Sequence, residues 1–203
     1  MSNFVHLHLH TQYSILDGAS KIQELMKLAS AYEMPAVAIT DHGNMFGVKE
    51  FHNAAKNKGI KPIIGVEAYV ARRSMSDNSD KEDRSGNHLI ILAKNYTGYH
   101  NLVKLVSLSW TEGFYYKPRI DKELLKKHNE GLIVTSACIA GEIPQAILRN
   151  DIETAEKTIE EYRDTFGDDF YLEVQRHKTG DPVFDNDTLA RQNKVIEAYK
   201  KLS

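Results

Sequence analysis

Three histidines near the start of the chain, His6, His8 and His10, alternate with two leucines. Residues 4–10 predict a β-strand, in which alternate side chains face the same side. The imidazoles would then share one face, and imidazole is a ligand for zinc, manganese or iron. We interpret the cluster as part of a metal site and favour His8 and His10, which lie nearest the carboxyl end of the strand. The alternative is the solvated polar face of an edge strand.

Two later apolar segments also bring potential ligands. His42 directly follows the short apolar segment 36–40, beside Asp41, which by itself is typical of a turn or helix cap. Glu67 lies inside the apolar segment 61–70. A buried carboxylate must be paired or bound to metal, because leaving it bare in a core is costly. Glu67 is therefore a candidate bridge between two ions, and the alternative is an outward-pointing side chain.

Three further candidate ligands each have an ordinary structural alternative. His88 begins the predicted strand 88–93 instead of ending it, so a surface histidine is a serious rival to a ligand. Cys138 follows the predicted strand 131–136 and is either a thiolate ligand or a small buried residue. Asp17 precedes a glycine in a loop and is either a ligand or a turn residue.

Composition narrows the class of protein. The 203 residues are 41% hydrophobic and 27% charged, which is typical of a soluble globular chain. The net charge of −2 does not favour a protein that holds DNA by its surface alone. If the chain acts on nucleic acid, a bound metal or another domain must supply much of the positive charge. Cys138 is the single cysteine, which excludes an internal disulfide and favours the cytoplasm. No apolar run reaches the length of a membrane span.

The elements that must position these residues alternate between strands and helices. Continuous apolar strands predict a parallel sheet covered by helices, as a barrel or an open sheet. Beyond residues 4–10, strands are predicted at 36–40, 61–70, 88–93, 131–136 and 170–175. Helices are predicted at 20–32, 45–58, 101–109, 121–128, 143–149, 152–165 and 185–202. The polar residues 72–87 predict a mobile surface loop. Because a helix comes last, we expect a barrel cut off before its final strand.

At this point the residues resemble a family. The ordered strings HLHLHT, TDHGN, GVEAY, HLIILA and TSAC are similar to motifs of the PHP (polymerase and histidinol phosphatase) superfamily. The resemblance implies a distorted (β/α)7 TIM-like barrel, here lacking its last strand. It also implies up to three ions, zinc or manganese and otherwise iron or magnesium. The implied ligands are His8, His10, Asp17, His42, Glu67, His88 and Cys138. The remaining implied pair, an Asp-x-His on the last strand, would lie beyond the chain.

Longer strings, including ITDHGNMFGVKEFHNAAKNKGIKPIIGVEAYV and NEGLIVTSACIAGE, resemble the amino-terminal PHP domain of bacterial DNA polymerase III alpha subunits. This resemblance implies that residues 1–203 are one PHP domain, with the polymerase regions absent. It implies a cytoplasmic replication protein whose partners are primer-template DNA and other holoenzyme subunits. It also implies a metal-dependent 3′–5′ exonuclease or phosphoesterase activity in this domain.

Two other functions stay open. The domain could be a non-catalytic scaffold that docks the polymerase or a proofreading subunit, or it could be a stand-alone phosphatase. For the catalytic reading, Lys117 and Arg119 are candidates for contacts with DNA phosphate, and Tyr115 or Tyr116 for stacking on a base. The alternative for these four residues is a structural loop with solvated charges.

Overall fold

A computed structural model describes residues 4–178 and 180–202 of the chain. The strands of this part are β1 (Ala36–Ile39), β2 (Lys61–Val70), β3 (Asn87–Ala93), β4 (Phe114–Tyr115), β5 (Lys117–Ile120), β6 (Leu132–Thr135) and β7 (Phe170–Tyr171). The helices are α1 (Ile22–Ala31), α2 (Val48–Asn57), α3 (Tyr96–Thr111), α4 (Lys122–Lys127), α5 (Glu142–Leu148), α6 (Ile152–Phe166) and α7 (Pro182–Leu202). The predicted alternation of strands and helices, and hence a mixed α/β fold, is confirmed.

The sheet is mixed, whereas the sequence predicted a parallel one. β2 pairs in parallel with β1 and β5, and β6 pairs in parallel with β7. β3 runs antiparallel to both of its neighbours, β2 and β6. The chain passes from β2 to β3 through residues 71–86, which hold no crossover helix of the kind that a parallel connection requires. The prediction of an all-parallel sheet was therefore wrong at β3.

Two predicted strands are shorter or less regular than expected. Residues 4–10 lie beside β1 without forming a ladder. The amides of Ala38 and Thr40, two residues apart, donate to the carbonyls of His6 and Leu9, which are three residues apart. The extra residue breaks the regular pairing, as in a bulge. The strand predicted at 170–175 pairs regularly only over β7.

The two faces of the sheet have different tasks. Val66, Ala68, Leu89 and Ile91 point to the helices and belong to the main core, which also takes side chains from α3, α5, α6 and α7. A smaller core lies between α1, α2 and β1 around Phe51. Alternate residues of β2 and β3 face the other side, because side chains alternate along a strand. That inner face carries the polar residues of the candidate site.

Within residues 4–178 and 180–202, no helix combines the length and apolar character that crossing a membrane requires.

Candidate metal centre

Glu67 lies at the centre of a group of four histidines. Its side chain is 1% exposed. Oε1 lies 3.3 Å from His8 Nε2 and 2.9 Å from His88 Nδ1. Oε2 lies 3.3 Å from His10 Nε2 and 2.7 Å from His42 Nδ1. The buried carboxylate that the sequence singled out therefore faces imidazole nitrogens on both of its oxygens.

The reversed direction of β3 places His88 in this group. Tyr69 pairs with His88 across the β2–β3 ladder, and Glu67 lies two residues before Tyr69 on the same face. Because β3 is antiparallel, its first residues lie at the carboxyl end of β2. In a parallel sheet, a residue at the start of a strand would lie at the opposite edge from the other ligands. Because β3 is antiparallel, that argument against His88 does not apply here.

His42 is positioned by an extension of the pairing between β1 and β2. The amide of Glu67 donates to the carbonyl of Asp41 at 3.1 Å, and the amide of Gly43 donates to the carbonyl of Glu67 at 2.9 Å. Gly43 has a φ of +59°, and a Cβ there would lie 2.7 Å from the Pro118 side chain. The glycine thus allows the sharp turn that directs His42 towards Glu67.

Side-chain hydrogen bonds hold the loop that follows His10. The buried carboxylate of Asp41 accepts from the Thr11 amide at 2.6 Å, the Thr11 hydroxyl at 2.7 Å and the Ser14 hydroxyl at 2.7 Å. The Ser14 hydroxyl in turn lies 3.1 Å from His10 Nδ1. Asp41 therefore acts as the turn residue that its sequence context suggested, and it fixes the loop through which His10 is oriented.

The donor atoms form two groups that share Glu67. His8, His10 and Glu67 make one, and His42, Glu67 and His88 make the other, with ligand atoms in each group within 4.8 Å of one another. We call them the first triad and the second triad. His42 Nδ1 and Glu67 Oε2 are buried and close together, yet neither makes a hydrogen bond of acceptable geometry. A cation held between such atoms would satisfy both, so the residues fit metal ions bridged by a carboxylate.

The charges of the site support this interpretation. Burial raises the pKa of Glu67, but its close contacts with His42, His8 and His88 outweigh burial and hold that pKa far below its ordinary range. Burial lowers the pKa of His8, but Glu173 and Glu67 outweigh it and raise the pKa to about 9. Burial lowers the pKa of His10. A metal ion in the first triad would replace the proton on His8 Nε2. Binding of the metal would therefore release protons.

Cys138 and Asp17 lie beside the second triad but belong to neither group. Cys138 Sγ is 3.6 Å from His88 Nδ1 and 3.8 Å from Glu67 Oε1. Burial and the charge of Glu67 raise the pKa of this thiol to about 12. Asp17 Oδ2 is 3.0 Å from His42 Nε2, and its side chain is 57% exposed. All seven residues implied as ligands are thus near one another, with these two at the edge.

Glu173 was missed by the sequence analysis. Its carboxylate Oε1 lies 2.7 Å from His8 Nδ1, on the far side of the imidazole from Glu67. The signal was present, because Glu173 is a charged residue within the apolar string FYLEVQ. The same signal, a carboxylate in an apolar strand, had singled out Glu67.

The prediction that Arg119 contacts DNA phosphate was wrong. Its side chain is 1% exposed, and its guanidinium donates to four backbone carbonyls. Those carbonyls belong to Met75, Asp77, Asp83 and Gly113. Arg119 is therefore committed to fastening the loop before β3, and its donors are not available to a substrate.

Lys117 and the neighbouring tyrosines lie closer to the surface. Lys117 Nζ is 5.3 Å from the centre of the Tyr69 ring, which itself stacks on His42 with ring centres 6.0 Å apart. Tyr116 is exposed, and Tyr115 lies near the buried guanidinium of Arg119. Lys117 is thus separated from the second triad by a single aromatic ring.

A cleft of about 1180 Å³ opens onto both triads. His8, His10 and His88 line it at the metal end. Apolar side chains such as Ile133 and Leu172 line its continuation. The cleft as a whole is large enough for a small ligand that carries a phosphate group.

The model of the PHP domain family matches residues 6–177 of this chain. A DNA polymerase III subunit alpha from Borreliella burgdorferi is 50% identical over 196 residues, which are 96% of this chain and 17% of the relative. The corresponding subunit from Thermus aquaticus is 51% identical over 204 residues, which cover 98% of this chain and 16% of the relative. The chain thus spans about a sixth of the length of these curated relatives.

A crystal structure from Bifidobacterium adolescentis, described as a candidate metal-dependent phosphoesterase, superposes with a TM-score of 0.52. The alignment covers 97% of this chain and 85% of that protein, at 16% sequence identity. At this sequence identity, the likeness indicates a shared fold and nothing further.

Proposed function

This chain belongs to the PHP domain family, and from that membership we propose that it is the metal-binding domain of a bacterial DNA polymerase III alpha subunit. We propose further that the domain hydrolyses phosphodiester bonds at DNA 3′ ends. The observation that supports this most is Glu67, a buried carboxylate shared by two histidine-containing triads. Such a shared carboxylate is typical of sites that hold two ions for phosphoryl chemistry.

The ligand set follows from the distances. His8 and His10 would hold one ion with Glu67, and His42 and His88 would hold another with the same carboxylate. A nitrogen and oxygen set of this kind suits zinc or manganese, and also iron; magnesium prefers oxygen ligands. Cys138 and Asp17 would complete the coordination at the edge of the second triad. We propose that the fold is the distorted barrel of the PHP type and that it holds up to three ions.

When bound, the ions would supply a more acidic water and positive charge for the phosphate oxygens. The protein supplies the rest. The histidines and Glu67 are held before any ligand arrives, so little ordering is needed on binding. Lys117 contributes a cation beside Tyr69, where it can hold a phosphate oxygen. The net charge of −2 agrees with a domain that attracts DNA locally and not over its whole surface.

A second function has its own observation. Ile15 and Leu16 are 85% and 90% exposed, and Phe46 is 63% exposed. They lie on the loops that carry Asp17 and follow His42. Large apolar side chains at such exposure are typical of contact surfaces. We propose that they dock another region of the longer subunit or another holoenzyme subunit, in the cytoplasm.

The test of the catalytic proposal starts with metal content. The chain would be reconstituted with zinc or manganese, and its bound ions counted by elemental analysis. Labelled single-stranded DNA, a primer-template with a mismatched 3′ end and a small phosphate monoester would then be offered as substrates. The matched control is Glu161→Gln. It removes a carboxylate whose partners are Lys122 and Lys126, and neither lysine belongs to the candidate site.

We expect metal-dependent shortening of the DNA from its 3′ end in the wild type and in the control, and none in Glu67→Gln. Bound ions without hydrolysis of DNA would favour the docking function. Hydrolysis of the monoester alone would favour a stand-alone phosphatase. A chain that binds no ion would contradict the catalytic proposal.

A further inference from the structure

The two ring nitrogens of His8 face different partners. Nε2 lies 3.3 Å from Glu67 Oε1 and 3.2 Å from His10 Nε2, so it points to the first triad. Nδ1 lies 2.7 Å from Glu173 Oε1. Glu173 belongs to neither triad. His8 can therefore offer only Nε2 to an ion at the triad.

The carboxylate of Glu173 is held in place by the end of β6. The hydroxyl of Thr135 donates to its Oε2, and the backbone amide of Glu173 donates to the Ser136 hydroxyl at 2.8 Å. That hydroxyl also accepts from the buried hydroxyl of Tyr199 in α7, at 3.0 Å. Glu173 thus lies in a connected network, although the regular strand has already ended at Tyr171. A carboxylate that is fixed in this way can orient its partner.

The contact with Glu173 indicates which nitrogen of His8 carries a proton, and Gln175 lies beside that contact. Its amide nitrogen lies 2.6 Å from Glu173 Oε1 and 2.9 Å from His8 Nδ1. If Nδ1 had no proton, its lone pair would face a carboxylate oxygen at 2.7 Å with nothing between them. With a proton on Nδ1, His8 and Gln175 both donate to Glu173 Oε1, and their 2.9 Å approach is that of two donors sharing one acceptor.

We propose that Glu173 is a positioning residue for the metal centre, which accepts the Nδ1 proton of His8 and so presents Nε2 as the ligand atom. This inference rests on the proposed metal function. A metal-bound histidine commonly donates its other N–H to a carboxylate, which fixes the tautomer and the ring orientation. Here the partner is 165 residues away in the chain, so it connects the beginning of the domain to its last described helix through Tyr199.

The experiment compares Glu173→Gln and Glu173→Ala with the wild type and with Glu161→Gln as matched control. Zinc affinity is measured by competition with a chromogenic chelator, and the number of ions by elemental analysis. Nitrogen-15 NMR of the imidazoles, with and without zinc, reports the tautomer of His8. Thermal unfolding of the metal-free chains shows that each variant folds.

We expect zinc affinity at the first triad to fall about 10- to 100-fold in Glu173→Ala, with no ion lost at saturating zinc. The fall should be smaller in Glu173→Gln, whose amide oxygen can still accept the Nδ1 proton. NMR should show protonated Nδ1 and metal-bound Nε2 in the wild type. The control should match the wild type.

Three results would overturn the inference. Unchanged zinc affinity in both variants would show that the contact does not support binding, while leaving the proposed function intact. Loss of a whole ion at saturating zinc would make Glu173 a ligand. A wild-type chain that binds no zinc would contradict both the inference and the proposed function. This holds even if NMR shows that His8 Nδ1 is protonated.

Discussion

The two triads share Glu67 but are built in different ways. In the second triad, Glu67 and His88 lie on the paired strands β2 and β3, and His42 follows an extension of β1. In the first triad, His8 and His10 come from a segment that forms no regular ladder. Their positions depend on side chains, such as those of Asp41, Ser14 and Glu173.

This difference shows that the ligands of one site can be positioned in two ways. A backbone ladder fixes a ligand whatever the other side chains are, whereas an irregular segment needs its own hydrogen-bonded support. The second triad should therefore tolerate changes around it, and the first should be sensitive to them.

The largest effect is expected from Glu67→Gln. The variant removes the carboxylate from both triads, so we expect affinity for both ions to fall by more than about 100-fold, beyond the usual effect of a supporting residue. Calorimetric zinc titration of the metal-free chain measures it. Glu161→Gln, which keeps both triads, should titrate like the wild type. Retention of one tight ion in Glu67→Gln would mean that the triads do not share this ligand.

An intermediate effect is expected from removing the histidines in pairs. His8→Ala/His10→Ala and His42→Ala/His88→Ala should each lose one ion and keep the other. The ion that remains in His8→Ala/His10→Ala should bind about 10-fold more tightly than the ion that remains in His42→Ala/His88→Ala. The reason is that strands β2 and β3 preorganise the ligands of the second triad. Elemental analysis and zinc competition measure the two quantities. Equal residual affinities would contradict the contrast between the triads, and loss of both ions in either variant would show that neither binds alone.

The smallest effect concerns the support of the first triad. Asp41→Asn weakens charge-assisted hydrogen bonds to Thr11 and Ser14, and we expect the free energy of unfolding to fall by about 2 kcal/mol. Urea unfolding of the metal-free chain measures it. The matched control is Asp17→Asn, whose carboxylate is more than half exposed and should change stability by less than about 0.5 kcal/mol. Equal midpoints for the two variants would refute a structural role for Asp41.

Much of the site could be predicted because its residues are unusual in their local context. A carboxylate in an apolar strand, as at Glu67, is costly unless it has a partner, and alternating histidines such as His8 and His10 are rare by chance. The structure brings these residues together, and their role as ligands stays a prediction. Arg119 was misjudged because a basic residue next to tyrosines looks the same in sequence whether it binds carbonyls or phosphate.

The direction of β3 could not be predicted from its composition. An apolar strand of the type HLIILA suits a parallel or an antiparallel neighbour equally well, and the connection decides between them. Residues 71–86 are numerous enough to form a crossover helix. In the structure they form a loop instead, and hydrogen bonds from the Arg119 guanidinium to its carbonyls hold this loop. Glu173 was overlooked for a related reason, since its partner His8 is distant in sequence.

The reversed strand β3 also has a consequence for the order in which the centre is assembled. Glu67 and His88 are only 21 residues apart, on strands joined by one loop, whereas His8 and Glu173 are 165 residues apart. Short loops cost less entropy to close, and a chain emerges from the ribosome beginning with its amino terminus. The hairpin of β2 and β3 can therefore form while the partner of His8 is still unsynthesised. The metal centre would then be completed from its middle outwards, with the two ends of the domain joining last.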